Sequence, residues 1–378
     1  MTAHAKLRPS AAARWTECTM SPTLEAMFEE QPSEYAAEGT RAHKLVEYLT
    51  RVSVGLPWGE DKAPEADDAE MTDAAEECAT YIGQTYLDLL DVCPDAYIDT
   101  EVKLDLTRWI PDGYGTADCL IVADDTMYVI DFKYGKGVRV DAECNKQMMI
   151  YALGALDWAE KLYDVETVRM VIVQPRLGST SAWSISSEML TEWGETYLRP
   201  KAEQASSGLG VYCPGEDTCR FCRASGHCKA QADYYVYMFE DYEKTDILTP
   251  VDAGSILERA QGMRKWLDAI EGIVYGALME GGSVDGWKLV EGRSTRKYKD
   301  TDEIEKRLRA KKYKVSDIYE KKMIGITKME KLLGKKVMSE LIGDLIEKPR
   351  GAAVLAPASD TRPEYSPDEQ IINAFDEE

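Results

Sequence analysis

The spacing of hydrophobic and polar residues changes along the chain, from helical periodicity near the N-terminus to strand-like alternation further on. Helical spacing predicts helices over residues 21–48 and 71–90, separated by an acidic loop at 59–70. Within the first helical stretch, a helix is predicted to open at Thr40. Short runs rich in β-branched and aromatic residues then predict an antiparallel meander of three strands, at 97–106, 117–123 and 127–132.

The pattern beyond the meander predicts one crossover helix and two more strands. An apolar helix beginning at Glu143 is followed by a buried strand at 168–174 and an alternating strand at 181–186. A further helix is predicted at 187–206. This order predicts an α/β fold in which helices flank a mixed central β-sheet, and it excludes a purely parallel, doubly wound fold.

The C-terminal part is predicted to be helical and basic. The pattern indicates a long helix at 251–279, a small hairpin at 287–290 and 294–298, basic helices at 301–311 and 327–346, and a Pro- and Ser-rich tail of little order from Gly351. Over 378 residues we therefore expect a main domain at 1–245, a helical extension at 246–350 and a flexible tail at 351–378.

Composition narrows the function classes. No run approaches the length of a membrane helix, and the N-terminus lacks an export signal, so we expect a cytoplasmic protein whose nine cysteines are thiols or metal ligands. A formal net charge of −23 argues against a protein that coats DNA. However, eighteen Lys and Arg against ten Asp and Glu at 293–350 leave a basic segment, which is either a solvated helical face or a contact for DNA or a partner.

Two acids and a lysine carry the strongest chemical signal. Asp118 and Asp131 lie on neighbouring predicted strands, and Lys133 follows two residues after Asp131 on the same strand face. Hard divalent cations prefer oxygen ligands, and phosphodiester hydrolysis needs an activated water and positive charge on the developing oxyanion. The trio therefore predicts a Mg²⁺- or Mn²⁺-dependent phosphodiesterase site. Glu101 is either a further ligand or an exposed strand-edge residue.

With His43 on an early helix and the Gln147-x3-Tyr151 helix, this set resembles the RecB-like branch of the PD-(D/E)XK nuclease superfamily. The resemblance implies a restriction-endonuclease-like core, although Gly115-Thr-Ala-Asp118 stands in place of the family's Pro-Asp. It also implies a role for each matching residue: metal ligation by His43, Asp118, Asp131 and the Phe132 carbonyl, catalysis by Lys133, and substrate contact by Gln147 and Tyr151.

A cysteine cluster follows these motifs. Cys219, Cys222 and Cys228 have a Cys-x2-Cys-x5-Cys spacing that indicates a metal centre, and Cys213 or His227 could complete a zinc site. In RecB-like nucleases with a [4Fe-4S] cluster, one cysteine precedes the nuclease motifs and three follow. The resemblance therefore implies a [4Fe-4S] staple on Cys18, Cys219, Cys222 and Cys228, with Zn²⁺ as the alternative.

The sequence also resembles, almost end to end, a phage and prophage group of RecB-like proteins of unknown function. We therefore expect a metal-dependent DNA nuclease, an exonuclease that processes DNA ends in phage recombination or replication inside a bacterial host. DNA is the expected partner, and a phage single-strand-binding or annealing protein is a further candidate. The alternatives are a noncatalytic, cluster-bearing DNA-binding or replisome scaffold on a nuclease fold, and a zinc-stapled adaptor that binds a protein.

Overall fold

The computed structural model describes residues 6–29, 34–238 and 250–289, with isolated residues beyond them. The chain divides into two compact units, Met1–Val284 and Asp285–Glu378. Most of the predicted hairpin, the basic helices and the tail lie outside the described residues. The division into 1–245, 246–350 and 351–378 stays a prediction. None of the described helices is long and apolar enough to cross a bilayer.

A five-stranded mixed sheet forms the centre of the first unit, in the order β1-β2-β3-β4-β5. Its strands are β1 (Tyr97–Asp105), β2 (Tyr114–Ala123), β3 (Thr126–Phe132), β4 (Thr167–Gln174) and β5 (Ser179–Ser186). The first three strands form the predicted antiparallel meander, β3 and β4 are parallel, and β5 returns antiparallel to β4. The predicted mixed sheet is confirmed.

Helices precede, cross and follow the sheet. The described helices are α1 (Ala12–Trp15), α2 (Ser21–Glu25), α3 (Glu34–Val54), α4 (Ala69–Leu90), α5 (Lys146–Ala159), α6 (Ser187–Trp193), α7 (Arg199–Ser207), α8 (Glu216–Cys219), α9 (Lys229–Val236) and α10 (Pro250–Met279). A π-helical segment, Gly194–Leu198, joins α6 to α7. The crossover between the parallel strands is α5, which begins where the Asn145 side chain accepts backbone N–H groups of the first turn.

Both faces of the sheet are buried at β2, which explains why this strand reads as an almost continuous apolar run. Leu120 and Val122 point to a core cluster that includes α5, whereas Cys119 and Ile121 point to a second cluster that includes α3 and α4. Alternate residues of one strand therefore contribute to two separate cores. Packing on both faces of the sheet therefore holds β2 in place.

Some predicted helix boundaries were wrong. The helix predicted at 21–48 is two helices, α2 and α3, and α3 begins at Glu34 rather than at Thr40. The Thr40 hydroxyl donates to the carbonyl oxygen of Ala36 inside the helix at 3.0 Å, so it does not cap a helix start. The helix predicted at 187–206 is interrupted by the π-helical segment. A threonine hydroxyl can also bond to a carbonyl oxygen one turn earlier inside a helix, so Thr40 alone does not mark a helix start.

Candidate functional site

The antiparallel pairing of β2 with β3 brings the two predicted acids together. Cys119 pairs with Ile130, and the next residue outward on each strand is Asp118 or Asp131. The backbone N–H of Phe132 donates to Oδ2 of Asp118 at 2.7 Å, which fixes the first carboxylate against the second strand. Asp131 itself is only 3% exposed. The acids therefore lie on neighbouring strands at one end of the sheet.

His43 reaches this sheet end from α3. Its Nδ1 lies 3.2 Å from Oδ2 of Asp118, and its ring packs edge-on against Phe132 at a centroid distance of 5.2 Å. Burial alone would lower the pKa of His43, but the charge and hydrogen bond of Asp118 raise it above its usual value. The histidine and the acid therefore form a close pair in which Asp118 favours the protonated imidazole.

Glu101 completes a three-residue group with His43 and Asp118. In β1, Thr100 pairs with Cys119 and Val102 pairs with Ala117, so Glu101 lies across from Asp118. Each of the three residues offers one ligand atom, and these atoms all lie within 4.8 Å of one another. Sequence reasoning left Glu101 undecided because strand register, which aligns it with Asp118, is not readable from local pattern.

The backbone of Glu101 is strained. Its φ of +51° lies in the left-handed region, which a non-glycine residue in a strand rarely adopts. Such conformations cost on the order of 1–3 kcal/mol and cluster at functional sites. Burial, followed by the charge of Asp118, raises the pKa of Glu101 to about 7. A buried carboxyl group beside another carboxylate fits a site that gains stability from a bound cation.

Lys133 and Gln147 hold the second acid. Lys133 Nζ donates to Oδ1 of Asp131 at 3.2 Å and to Oε1 of Gln147 at 3.1 Å, and Gln147 Nε2 donates to the same Asp131 oxygen at 3.2 Å. The Gln147 amide also donates to the Tyr151 hydroxyl at 3.5 Å, one turn along α5. The structure thus connects Asp131, Lys133, Gln147 and Tyr151 by hydrogen bonds, on the strand next to that of Asp118.

One oxygen of Asp131 lacks a well-aligned donor. Lys133 Nζ lies 2.9 Å from Oδ2, yet that oxygen is buried and makes no hydrogen bond of acceptable geometry. Burial, against the attraction of Lys133, raises the pKa of Asp131, whereas the pKa of Asp118 is lowered because the His43 interactions outweigh its burial. A buried acceptor without a donor fits a site for a cation.

A cleft opens beside the acids. It encloses about 480 Å³, and its lining includes His43, Glu101 and Asp118 together with Gly39, Thr40, Lys44 and Glu47 of α3. Glu47 lies one helical turn from His43, as its spacing predicts. The cleft gives the histidine and acid group access from outside, on the side that α3 faces.

The four cysteines of the predicted staple line a second, small cavity of about 20 Å³. Cys18 follows α1, Cys219 ends α8, and Cys228 immediately precedes α9. Burial raises the pKa of Cys18 and of Cys219, and it raises that of Cys222 to about 11. We call this cavity with its four cysteines the cysteine pocket.

Backbone groups hydrogen-bond to several of these thiols: Cys213 contacts the Cys18 thiol, Gly215 that of Cys219, and Ala224 that of Cys222. Hydrogen bonds to sulfur are typical of cysteines that hold metal. Among the described residues, however, no three cysteine sulfurs lie within 4.8 Å of one another. The thiols share a cavity but are not gathered around one point.

Polar contacts connect the cysteine loop to the N-terminal helices. Arg14 pairs with the buried Glu25 at 3.1 Å and donates to the carbonyl oxygen of Phe221 at 3.0 Å. Glu25 also accepts the backbone N–H of Arg223 at 2.9 Å. These contacts link residues about 200 positions apart in the chain. They bring Cys18 and the later cysteines into one region by protein contacts alone.

Comparison with solved structures finds a similarity to one titled "Crystal structure of SSO0001". The match covers 56% of this chain and 95% of that chain, at 16% sequence identity and a TM-score of 0.22. A TM-score of that size does not establish a common fold. The model of a family described as "Protein of unknown function (DUF2800)" matches residues 4–363, a range that includes every residue of both sites. The chain belongs to this family.

Proposed function

We propose that this protein is a Mg²⁺- or Mn²⁺-dependent DNA nuclease on a restriction-endonuclease-like core of the RecB-like PD-(D/E)XK type. The observation that carries the proposal is the convergence of a histidine, three carboxylates and a lysine at one sheet end, namely His43, Glu101, Asp118, Asp131 and Lys133. The sequence motif supplies the family resemblance, and the contacts supply a donor set suited to a hard cation.

The donor set fits a divalent cation in two independent respects. Asp131 presents a buried oxygen without an aligned donor, and the ligand atoms of His43, Glu101 and Asp118 lie close enough to share one ion. The Phe132 carbonyl is a further candidate ligand. When bound, such a cation lowers the pKa of a coordinated water and neutralises charge on a phosphate oxygen.

The remaining roles in the proposed reaction belong to side chains of the protein itself. Lys133 is oriented by Asp131 and Gln147, which places its ammonium group beside the candidate cation ligands. We assign to it the positioning of the attacking water or the stabilisation of the developing negative charge. Gln147 holds Asp131 and Lys133 through its side-chain amide, and we assign to Tyr151, beside Gln147, the substrate contact that the family resemblance implies.

The cysteine pocket is lined by the four cysteines that the family resemblance assigns to an iron–sulfur cluster. Zn²⁺ on the same thiols is the alternative. The pocket would hold a [4Fe-4S] cluster on Cys18, Cys219, Cys222 and Cys228 and so tie the two ends of the nuclease domain together. A brown protein that absorbs broadly near about 400 nm supports iron and sulfur, and a colourless zinc-loaded protein contradicts them.

The biological role that we propose is the processing of DNA ends in phage recombination or replication. The test incubates the purified protein with end-labelled linear, nicked and closed circular DNA in Mn²⁺, Mg²⁺ or EDTA. Metal-dependent loss of linear DNA with survival of closed circles supports an exonuclease, and cutting of closed circles supports an endonuclease. Binding of DNA without any cleavage contradicts the nuclease and favours the noncatalytic scaffold.

A further inference from the structure

A polar network surrounds Lys146, the first residue of α5. Lys146 Nζ donates to Oγ1 of Thr16 at 3.0 Å, to Oε1 of Glu17 at 2.5 Å and to the hydroxyl of Tyr197 at 2.9 Å. The Tyr197 hydroxyl donates in turn to the same Glu17 oxygen at 2.9 Å. All three N–H groups of the ammonium are therefore used. We call these four residues the Lys146 network.

The network joins three distant segments of the chain. Glu17 directly precedes Cys18 of the cysteine pocket, and Tyr197 lies in the π-helical segment Gly194–Leu198. Single π-helical turns are rare and occur frequently at functional sites. Thr16 is completely buried, and its hydroxyl also donates to the carbonyl oxygen of Ala12 at 2.7 Å, so one partner of Lys146 is rigidly held.

The residue after Lys146 belongs to the acid–lysine group. Gln147 contacts both Lys133 and Asp131, and the Asn145 side chain caps the same helical turn by accepting the Gln147 N–H at 3.1 Å. Consecutive helical residues project about 100° apart, so Lys146 and Gln147 serve different partners from one rigid turn. One turn of helix thus connects the segment that carries Cys18 to the side chains around Asp131.

We propose that the Lys146 network is a positioning device that couples the cysteine pocket to the acid–lysine site through the first turn of α5. The inference rests on the proposed function for its catalytic readout, but not for its structural one. Lys146 acts through Gln147 and touches no reacting group. Loosening the pocket would release Glu17, shift the turn and misplace Gln147 relative to Lys133. A displacement of about 1 Å at a catalytic group can lower a rate about 100-fold.

The test is a double-mutant cycle that measures Mn²⁺ affinity calorimetrically. Cys18→Ser disturbs the pocket, and Lys146→Met removes the ammonium while keeping an unbranched side chain that is one atom shorter. The coupling predicts that Cys18→Ser weakens Mn²⁺ binding about 3- to 10-fold in the parent protein and by less than about 2-fold in the Lys146→Met background. Equal effects of Cys18→Ser in the two backgrounds overturn the inference.

Tyr197→Phe is the conservative second variant, because it keeps the ring and removes one hydroxyl. Hydrogen exchange should accelerate at the first turn of α5 in Tyr197→Phe and Lys146→Met, with kcat for DNA lowered about 10-fold or more and KM unchanged. Lys161→Met is the matched control, since Lys161 is exposed just beyond the other end of α5 and should change nothing. Unchanged exchange in both network variants, or an equal change in the control, contradicts the proposal.

The two proposals fail in different ways. Non-additive Mn²⁺ affinities together with a complete absence of DNA cleavage in the parent protein support the Lys146 network and refute the nuclease. Cleavage by the parent protein together with additive affinities supports the nuclease and refutes the network. Iron content measured in every variant separates a changed coupling from a changed cluster occupancy, because Lys146→Met is expected to retain as much iron as the parent.

Discussion

The acid–lysine site and the cysteine pocket are built in opposite ways. The acids sit on paired strands between two apolar cores, so their positions follow from sheet register and remain fixed without any ligand. The cysteines sit on short helices and connecting loops, held by an ion pair and backbone contacts. We infer that the first site is preorganised for chemistry, whereas the second gains its rigidity when it is filled.

Asp131→Asn tests the preorganised site most severely. Losing this charge removes several kcal/mol of electrostatic stabilisation, so single-turnover DNA cleavage should fall about 1000-fold or more. The free energy of unfolding, in contrast, should not fall. Because the raised pKa means that the folded protein binds this proton more tightly than the unfolded chain, the ionised carboxylate costs stability at neutral pH.

Urea unfolding at pH 7 should therefore give Asp131→Asn a free energy of unfolding equal to or above that of the parent. Asp125→Asn, in the exposed turn between β2 and β3, serves as the control and should leave cleavage unchanged. Full cleavage by Asp131→Asn removes this aspartate from the mechanism.

Lys133→Met separates catalysis from metal binding within the same site. Removing the ammonium should lower kcat by about 100- to 1000-fold, within the range usual for a positioned acid–base group. Mn²⁺ affinity, measured by calorimetry, should be equal or higher because a positive charge beside Asp131 is lost. A variant that binds Mn²⁺ far more weakly and cleaves normally at saturating Mn²⁺ would show that Lys133 organises the ligands instead.

Glu25→Gln tests whether the cysteine pocket depends on its ion pair. The change keeps the shape but removes the charge that Arg14 and the Arg223 backbone share, so the free energy of unfolding should fall by about 2–3 kcal/mol. Iron bound per chain after purification should fall as well. Unchanged stability and iron content would mean that the loops hold their geometry without this pair, which would weaken the contrast between the two regions.

The pH dependence of Mn²⁺ binding tests whether Glu101 is a ligand of the cation. Its pKa of about 7 means that a cation must displace a proton below that pH and meets an ionised carboxylate above it. The apparent Kd should rise about tenfold for each pH unit below 7 per displaced proton, and the contribution of Glu101 should level off above 7. Protonated His43, whose pKa is also raised, adds to the loss on the acidic side.

Glu101→Gln should bind Mn²⁺ more weakly at pH 8 and show a shallower pH slope, since one of the displaced protons is gone. A parent-like slope in this variant places Glu101 outside the cation site.

The sequence predicted the regular part of this molecule well, because strand alternation and one crossover helix determine a mixed sheet. Asp118, Asp131 and Lys133 could be predicted as site residues because they lie in or directly after strand-like runs, which is a local signal, and the pairing of β2 with β3 brings the two acids together. The sequence did not decide whether Glu101 is a ligand. Its position depends on the register between β1 and β2 and on a positive φ, and no local sequence pattern predicts either of them.

Other features depended on contacts between distant segments. The π-helical turn at Tyr197 has no capping or periodicity signal in the sequence. The link from Glu17 to Lys146 joins residues 129 positions apart, so it could not be inferred from spacing alone.

The most direct measurement is single-turnover cleavage of end-labelled linear DNA by the purified parent protein and by Asp118→Asn, each in Mn²⁺ and in EDTA. Asp118 contacts His43 and the Phe132 backbone, and its ligand atom lies within 4.8 Å of that of Glu101. We expect cleavage by the parent in Mn²⁺ only, and a loss of about 1000-fold or more in Asp118→Asn at equal folded fraction. Cleavage that persists in EDTA, or that is equal in the two proteins, contradicts a metal-dependent nuclease site at this end of the sheet.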